Sequence, residues 1–440
     1  MPSSTKKDKS RTFMVGSSDS ETDNEDLALI HLVLRKLTIK DQTLLHRHFE
    51  KIPDAFSSLW RDQHERLDLG QMQWKLHGSN LLMFLQDMCT EFRSVHLRSE
   101  QLQEELNILE QAGIERLVHV TDCEISWNHS LSNRNKNIPQ WPFHALPKLL
   151  SNLIHLEIFA SVQACFIDRF KKLESLKIYE EISSPALEAI LSSDMPLMQL
   201  HLLGNPSHQL LGISNCKLLR NLLVNLQTFI SNSSDIFQLP ELLVLRLTQL
   251  EELELKATVK ALSRVIQQKG SQLKSFQLNC NFMAHAKYLT QMKLNHCLCL
   301  DELELVDCKF ENQDMSKLCL PVSQSYTMFC YCPDLIDDQL LDFVKASPNL
   351  KELVLIECPN LTEGLLHNVV KVRRSGKKQT PLLIRVKDCQ NIWDSYKRNL
   401  ASLWTRKRSV VKLECITEDY EPIDNVQFIF HESQHSPNIL

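Results

Sequence analysis

Apolar residues spaced two apart, with a third leucine three positions earlier, recur along this chain in the frame L-x-x-L-x-L. Clear copies are Leu153, Leu156 and Ile158; Leu173, Leu176 and Ile178; and Leu197, Leu200 and Leu202. Other copies run on to a cysteine: "LELVDC" ends at Cys308, "LVLIEC" at Cys358, "IRVKDC" at Cys389 and "VHVTDC" at Cys123. Val95 with Leu97, and Leu67 with Leu69, carry the pattern toward the N-terminus. Leu253, Leu303 and Leu353 are evenly spaced, with Phe276 and Thr327 or Met328 near the midpoints, which sets a unit of about 25 residues.

Residues two apart point to one face of a strand, so each L-x-L predicts a short strand with its leucines inward and its middle residue outward. The rest of a unit, such as "DDQLLDFVKA", has helical spacing and supplies a second wall. One unit cannot bury both walls alone, whereas stacked units share a continuous core. The expected fold is therefore an α/β solenoid of about twelve units, with parallel strands on the concave face and helices outside, curving into a horseshoe. Between about 205 and 250 several frames compete, as in "LLRNLLVNLQTF" and "LPELLVLRL". The stretch near 124–150, with "EISWNHSLSNRNKNIPQWPF", reads as a loop insertion.

Composition agrees with a large folded chain: 440 residues, 43% hydrophobic and 23% charged. A net charge of −5 selects no class of partner. The opening "MPSSTKKDKSRTFMVG" has no apolar stretch of secretory length, and no apolar run is long enough to span a bilayer. The expectations are a cytoplasmic or nuclear protein, no membrane partner and reduced cysteines.

The 14 cysteines invite a metal reading through "HCLCL" (Cys297, Cys299) and "CYC" (Cys330, Cys332). Structural zinc takes paired C-x₂-C units, which are lacking, so the cysteines are expected in the core and no metal or cofactor is expected. With nine glycines the chain has neither a G-x-x-x-x-G-K nor a G-x-G-x-x-G loop, and it has no G-x-S-x-G. No catalytic residue is expected.

One unit carries a specific resemblance. Leu350, Leu353, Leu355, Cys358, Pro359, Asn360, Leu361, Thr362 and Leu365 match, position by position, the cysteine-containing leucine-rich repeats found in F-box proteins. In the neighbouring copy, Cys332-Pro-Asp-Leu is followed by Ile336 and Asp337 rather than by threonine. Residues 25–66, ahead of the repeats, resemble a degenerate F-box. Leu29, Ile30, Val33, Leu34 and Leu37 have helical spacing, "TIKD" offers an N-cap, and Leu44, Leu45, His48 and Phe49 begin a second helix before Ser58, Leu59 and Trp60. The segment departs from the F-box pattern at Glu25-Asp26 in place of Leu-Pro, at His48-Phe49 in place of Val-Cys, and at Ile52 in place of an aromatic.

The resemblance implies the substrate-recognition subunit of a Skp–cullin ubiquitin ligase. Leu29, Ile30, Val33, Leu34, Leu37, Asp41, Leu45 and Trp60 would meet the Skp adaptor, and the repeats would hold an unknown protein substrate. The competing reading is a leucine-rich scaffold or inhibitor with no ligase role, in which the helical segment only caps the open end of the core.

The outward positions of the strands name a recognition surface: Glu252, Glu254, Glu302, Glu304 and Glu352 as an acidic strip, with Tyr179 and His201 in a mixed region nearer the N-terminus. The basic clusters "KVRRSGKK" and "TRKRS" come without interleaved aromatics, and no nucleic-acid partner is expected. The expected division is an acidic tail (1–24), the F-box-like segment (25–66), repeats (67–416), and a C-terminal cap (417–440) in which "VVKLEC" and "VQFIF" form a hairpin.

Overall fold

The computed structural model describes residues 32–48, 53–126, 141–162, 165–204, 208–248, 255–279, 288–310, 314–317, 320–375, 382–392 and 426–430. The chain divides into two compact units. One runs to Cys123 and includes Lys148–Leu150; the other holds the rest from Glu124 onward. The F-box-like segment and the first repeats thus belong to one unit.

In the first unit Thr38 caps helix α1 (Ile39–His48). Its hydroxyl accepts the Asp41 N–H at 3.2 Å and donates to the Asp41 carboxylate at 2.7 Å, so "TIKD" is a cap and the second helix starts at Ile39 rather than at Leu44. Helix α2 (Pro53–His64) leads into strand β1 (Arg66–Asp68), which pairs in parallel with β2 (Ser94–Arg98) through Leu67 opposite Val95. Between the strands lie α3 (Leu69–Lys75), whose Gln71 N–H is capped by Asp68, and α4 (Ser79–Met88); α5 (Leu102–Gln111) follows β2. Strand β3 (Asp122–Ser126), which starts in this unit and runs past its limit at Cys123, places Cys123 and Ile125 inward. Cys123 therefore lies at the start of its strand and not at the end, where the spacing of "VHVTDC" predicts it, and His119 lies in a turn.

In the second unit the strands are β4 (His155–Ile158), β5 (Ser175–Ile178), β6 (Gln199–Leu202), β7 (Asn221–Asn225), β8 (Val244–Thr248), β9 (Ser275–Asn279), β10 (Glu302–Val306), β11 (Tyr326–Cys330), β12 (Glu352–Ile356) and β13 (Leu382–Lys387). They pair in parallel in chain order. One inward row runs through Leu222, Leu245, Phe276, Leu303, Thr327, Leu353 and Ile384. That row settles two ambiguities. Thr327, not Met328, is the midpoint between Leu303 and Leu353, and the strand of the preceding repeat is built on Leu245 rather than Leu253. Helices α6 (Ser184–Leu191), α7 (Leu255–Lys269), α8 (Asp337–Ala346) and α9 (Glu363–Ser375) return the chain between strands. The fold is an α/β leucine-rich-repeat solenoid.

The last four strands of the parallel series end in one way. Asp307, Tyr331, Glu357 and Asp388 all have left-handed backbone, with φ of 48°, 54°, 49° and 52°. Each is followed by a buried cysteine: Cys308, Cys332, Cys358 or Cys389. The left-handed residue turns the chain inward, and the thiol then donates to a carbonyl of the preceding strand: Leu278, Leu305, Phe329 and Leu355 respectively, at 3.4–3.7 Å. A small side chain with a weak donor fits this corner, which explains why cysteine recurs there.

At the C-terminal end, β14 (Val426–Phe430) pairs antiparallel with β13, Ile384 opposite Phe428. "VQFIF" is therefore a strand added to the last repeat, while "VVKLEC" and the acidic tail (1–24) lie outside the described residues.

Candidate functional site

The helical segment has its own aromatic core. Trp60 is fully buried against His46, Phe56 and Phe84, with ring centroids 5.0–5.7 Å away. Its indole N–H donates to Gln42 Oε1 at 2.9 Å, and the Gln42 amide donates to the carbonyls of Leu34 and Leu37 at 2.9 and 3.2 Å. One buried glutamine thus satisfies the end of the first helical turns and ties it to Trp60. Of the residues expected to meet an adaptor, Leu34 and Trp60 are core, Leu37 and Leu45 are half-buried, and Val33 and Asp41 are exposed. Leu29 and Ile30 lie outside the described residues. Leu32 is 60% exposed, Val33 57% and Leu44 39%.

Also in the first unit, the outward residues of β1 and β2 form a network of Asp68, His96 and Arg98, of which the strand spacing predicts only His96 as an outward position. Asp68 accepts from His96 Nδ1 at 3.0 Å and lies 3.4 Å from Arg98 Nη2. Burial works against its charge, but the Gln71 N–H, His96 and Arg98 hold its carboxyl below the ordinary value. The Arg98 guanidinium fills the space a side chain would need at Gly70, where a Cβ would come within 1.6 Å of Nη1. Behind it Glu105 is 1% exposed; one oxygen accepts the Arg98 backbone N–H at 3.0 Å and the other has no partner among the described residues. Burial pushes this carboxyl up to about 7.

On β4–β6 the mixed region is an interlocked polar and aromatic surface. Phe159 and Tyr179 stack with centroids 4.2 Å apart. Tyr179 donates to Glu157 at 2.7 Å, and Lys177 lies 3.6 Å from the same carboxylate. Buried His201 sits 2.9 Å from the Gln199 side-chain nitrogen and 3.3 Å from Asn221 Oδ1. Burial depresses its pKa to about 4, so it is neutral at physiological pH.

Register determines what remains of the acidic strip. Glu252 and Glu254 lie outside the described residues, and the outward positions of that repeat's strand are Val244 and Arg246 on β8. On β10 and β12, Glu302, Glu304 and Glu352 do project outward, with Tyr326 between Glu302 and Glu352, and Met328 between Glu304 and Val354. Glu352 is ion-paired with Arg385 at 2.9 Å. Glu302 and Glu304 have no hydrogen bond or ion pair among the described residues. Burial raises the Glu304 carboxyl, with Glu302 adding to it and Arg246 opposing.

Other candidates resolve into structure. Burial raises the Cys297 thiol to about 12 and the Cys216 thiol to about 11, far from a reactive thiolate. Arg373, from the "KVRRSGKK" cluster, donates to the carbonyls of Pro348 and Ser347 at 2.7 and 3.0 Å and serves as a clamp between repeats. Among the described residues no group of three or more His, Cys, Asp or Glu is placed to hold a metal, and no helix is long and apolar enough to cross a membrane.

No protein-family model and no curated protein matches the chain. Among solved structures, the leucine-rich repeat-containing protein LegL7 from Legionella pneumophila is 14% identical over 69% of this chain and 97% of that one, with a TM-score of 0.37. A leucine-rich-repeat protein of Leptospira interrogans is 13% identical over 71% and 94%, with a TM-score of 0.30. The fold assignment rests on the strand register and the repeated corner described above.

Proposed function

We propose that this chain is a protein-binding repeat scaffold that acts as the substrate receptor of a Skp–cullin ubiquitin ligase. In this reading the N-terminal helices dock on the adaptor and the outward faces of the strands hold the protein to be modified. The observation that carries the reading is the division of apolar residues around α1. Leu34, Ile39 and Trp60 already form a core, yet Leu32, Val33 and Leu44 remain exposed, where a mere cap would be expected to turn polar. Burial of such residues in a groove of a partner is the usual way a short helical segment is recognised.

The test is a pull-down of purified Skp adaptor and cullin with the full chain and with a Val33→Asp, Leu44→Asp variant. Both positions are exposed, so the variant keeps its core. The expected result is adaptor recovery with the wild type and loss with the variant. Recovery with neither would leave a repeat scaffold or inhibitor without a ligase role.

A further inference from the structure

The strands β10–β12 carry a surface of mixed chemistry that no fold requirement explains. Across their outward faces two rows lie side by side: Glu302, Tyr326 and Glu352 in the first, and Glu304, Met328 and Val354 in the second, continued by Arg385. Neighbouring strands are about 4.8 Å apart, so adjacent side chains within each row lie within reach of one another. Tyr326, Met328 and Val354 are half-buried and form an apolar floor on a face whose other positions are mostly polar. An aromatic ring with a thioether beside it is the composition of a contact centre rather than of a solvated strand.

The charges on this floor are unequal. Glu352 is taken by Arg385, whereas Glu302 and Glu304 lack such a partner among the described residues. Burial and the neighbouring Glu302 penalise the charge on Glu304, and Arg246 on β8 offsets this only in part, so a cation arriving between the two acids would relieve the rest. The Tyr326 hydroxyl lies within the field of Glu304, Glu352, Arg385 and Glu302, so its ring sits in the middle of the group. Beside Glu302, and in register with it on β9, Ser275 is 3% exposed with a hydroxyl that has no partner among the described residues. A buried orphan hydroxyl on the same face is a second sign that this surface is completed by something else.

We infer that this surface binds a lysine or arginine side chain from an extended segment of a partner protein, its cation between Glu302 and Glu304 and its aliphatic stem over Tyr326 and Met328. Carboxylates supply the charge and the Tyr326 ring a face for the cation, while the thioether covers the stem. Arg385 blocks the Glu352 side and so fixes which end of the floor receives the charge. This assignment rests on the reading of the chain as a protein-binding scaffold, and it does not involve the helical segment.

The experiment uses the full chain and two fluorescein-labelled peptides of alternating arginine and glycine, one with citrulline in place of every arginine. Citrulline keeps the shape and removes the charge. Fluorescence anisotropy at physiological salt should show the arginine peptide binding more tightly than the citrulline peptide. A Glu302→Gln, Glu304→Gln variant should weaken it about tenfold or more. Tyr326→Leu should weaken binding and Tyr326→Phe should keep it. An Asp338→Asn, Asp342→Asn variant, altering the same number of acids on helix α8, should bind like the wild type. Failure of the wild type to bind, equal binding of the two peptides, or equal losses in the α8 control would overturn the inference. Adaptor recovery is read separately, so loss of the ligase role and loss of this surface remain distinguishable.

Discussion

Asp334 and Asn360 occupy the same position in successive repeats and hydrogen-bond to the same peptide link of the repeat before them, but at opposite ends. Asp334 accepts the Phe310 N–H at 2.7 Å, whereas Asn360 donates to the Pro333 carbonyl at 2.7 Å. Asn391 repeats the second arrangement, donating to Pro359 at 2.6 Å. The alternation of acid and amide in "CPDL" and "CPNL" is therefore a choice between acceptor and donor, set by which end of the neighbouring peptide is presented. Asn360→Asp would aim a carboxylate at a carbonyl and should cost about 1 kcal/mol. Asp334→Asn should cost less, because an amide still offers an acceptor oxygen. Urea melts of the two variants check the asymmetry.

The left-handed row makes a second prediction. Non-glycine residues at such backbone angles cost about 1–2 kcal/mol each, so Glu357→Gly should stabilise the chain by up to about 1 kcal/mol. Glu357→Val should destabilise it by about 1–3 kcal/mol, since a β-branched side chain tolerates positive φ least. Thermal melts of the pair should move in opposite directions.

Gln42 holds three partners in the interior of the helical segment. Gln42→Leu would leave the Trp60 indole N–H and the bonded carbonyls of Leu34 and Leu37 without it, at a cost of about 2–3 kcal/mol. Chemical denaturation should show a lower midpoint, with hydrogen exchange accelerating first at Leu34–Leu37 and α1.

Glu105 gives the stability a pH dependence. Its folded-state pKa, about 7, lies above the ordinary value of 4.5, so its contribution is fully present below about pH 4.5 and is lost as pH rises through about 7. Glu105→Gln should raise the melting temperature above pH 7 relative to wild type and flatten the profile between pH 5 and 8. His201 acts in the other direction. Depressed from 6.5 to about 4, it stabilises above pH 6.5 and loses that contribution as pH falls through about 4, so His201→Asn should blunt acid unfolding.

The strand frame was legible because every inward pair is fixed by alternation: Leu303 with Leu305 and Leu353 with Leu355 stand where the spacing put them. The frame between 205 and 250 was not, because "LPELLVLRL" and "QLEELEL" carry the same spacing and only pairing with Phe276 selects Leu245. That choice puts Arg246 on the outward face and shortens the described acidic strip. In the helical segment, apolar spacing identified Leu34 but could not separate core from surface. Whether a leucine is buried depends on Gln42, Trp60 and Phe84, which come from three different helices. The left-handed corners before these cysteines gave only a weak signal: Asp307, Glu357 and Asp388 are acidic, but acids are common along the chain and Tyr331 breaks the set.

The measurement that tests the proposed docking most directly is hydrogen exchange of the full chain with and without purified Skp adaptor. Slower exchange is expected at residues 32–48 alone, with the strands β4–β13 unchanged. Unaltered exchange at those residues with saturating adaptor, or protection found only in the strands, would contradict it.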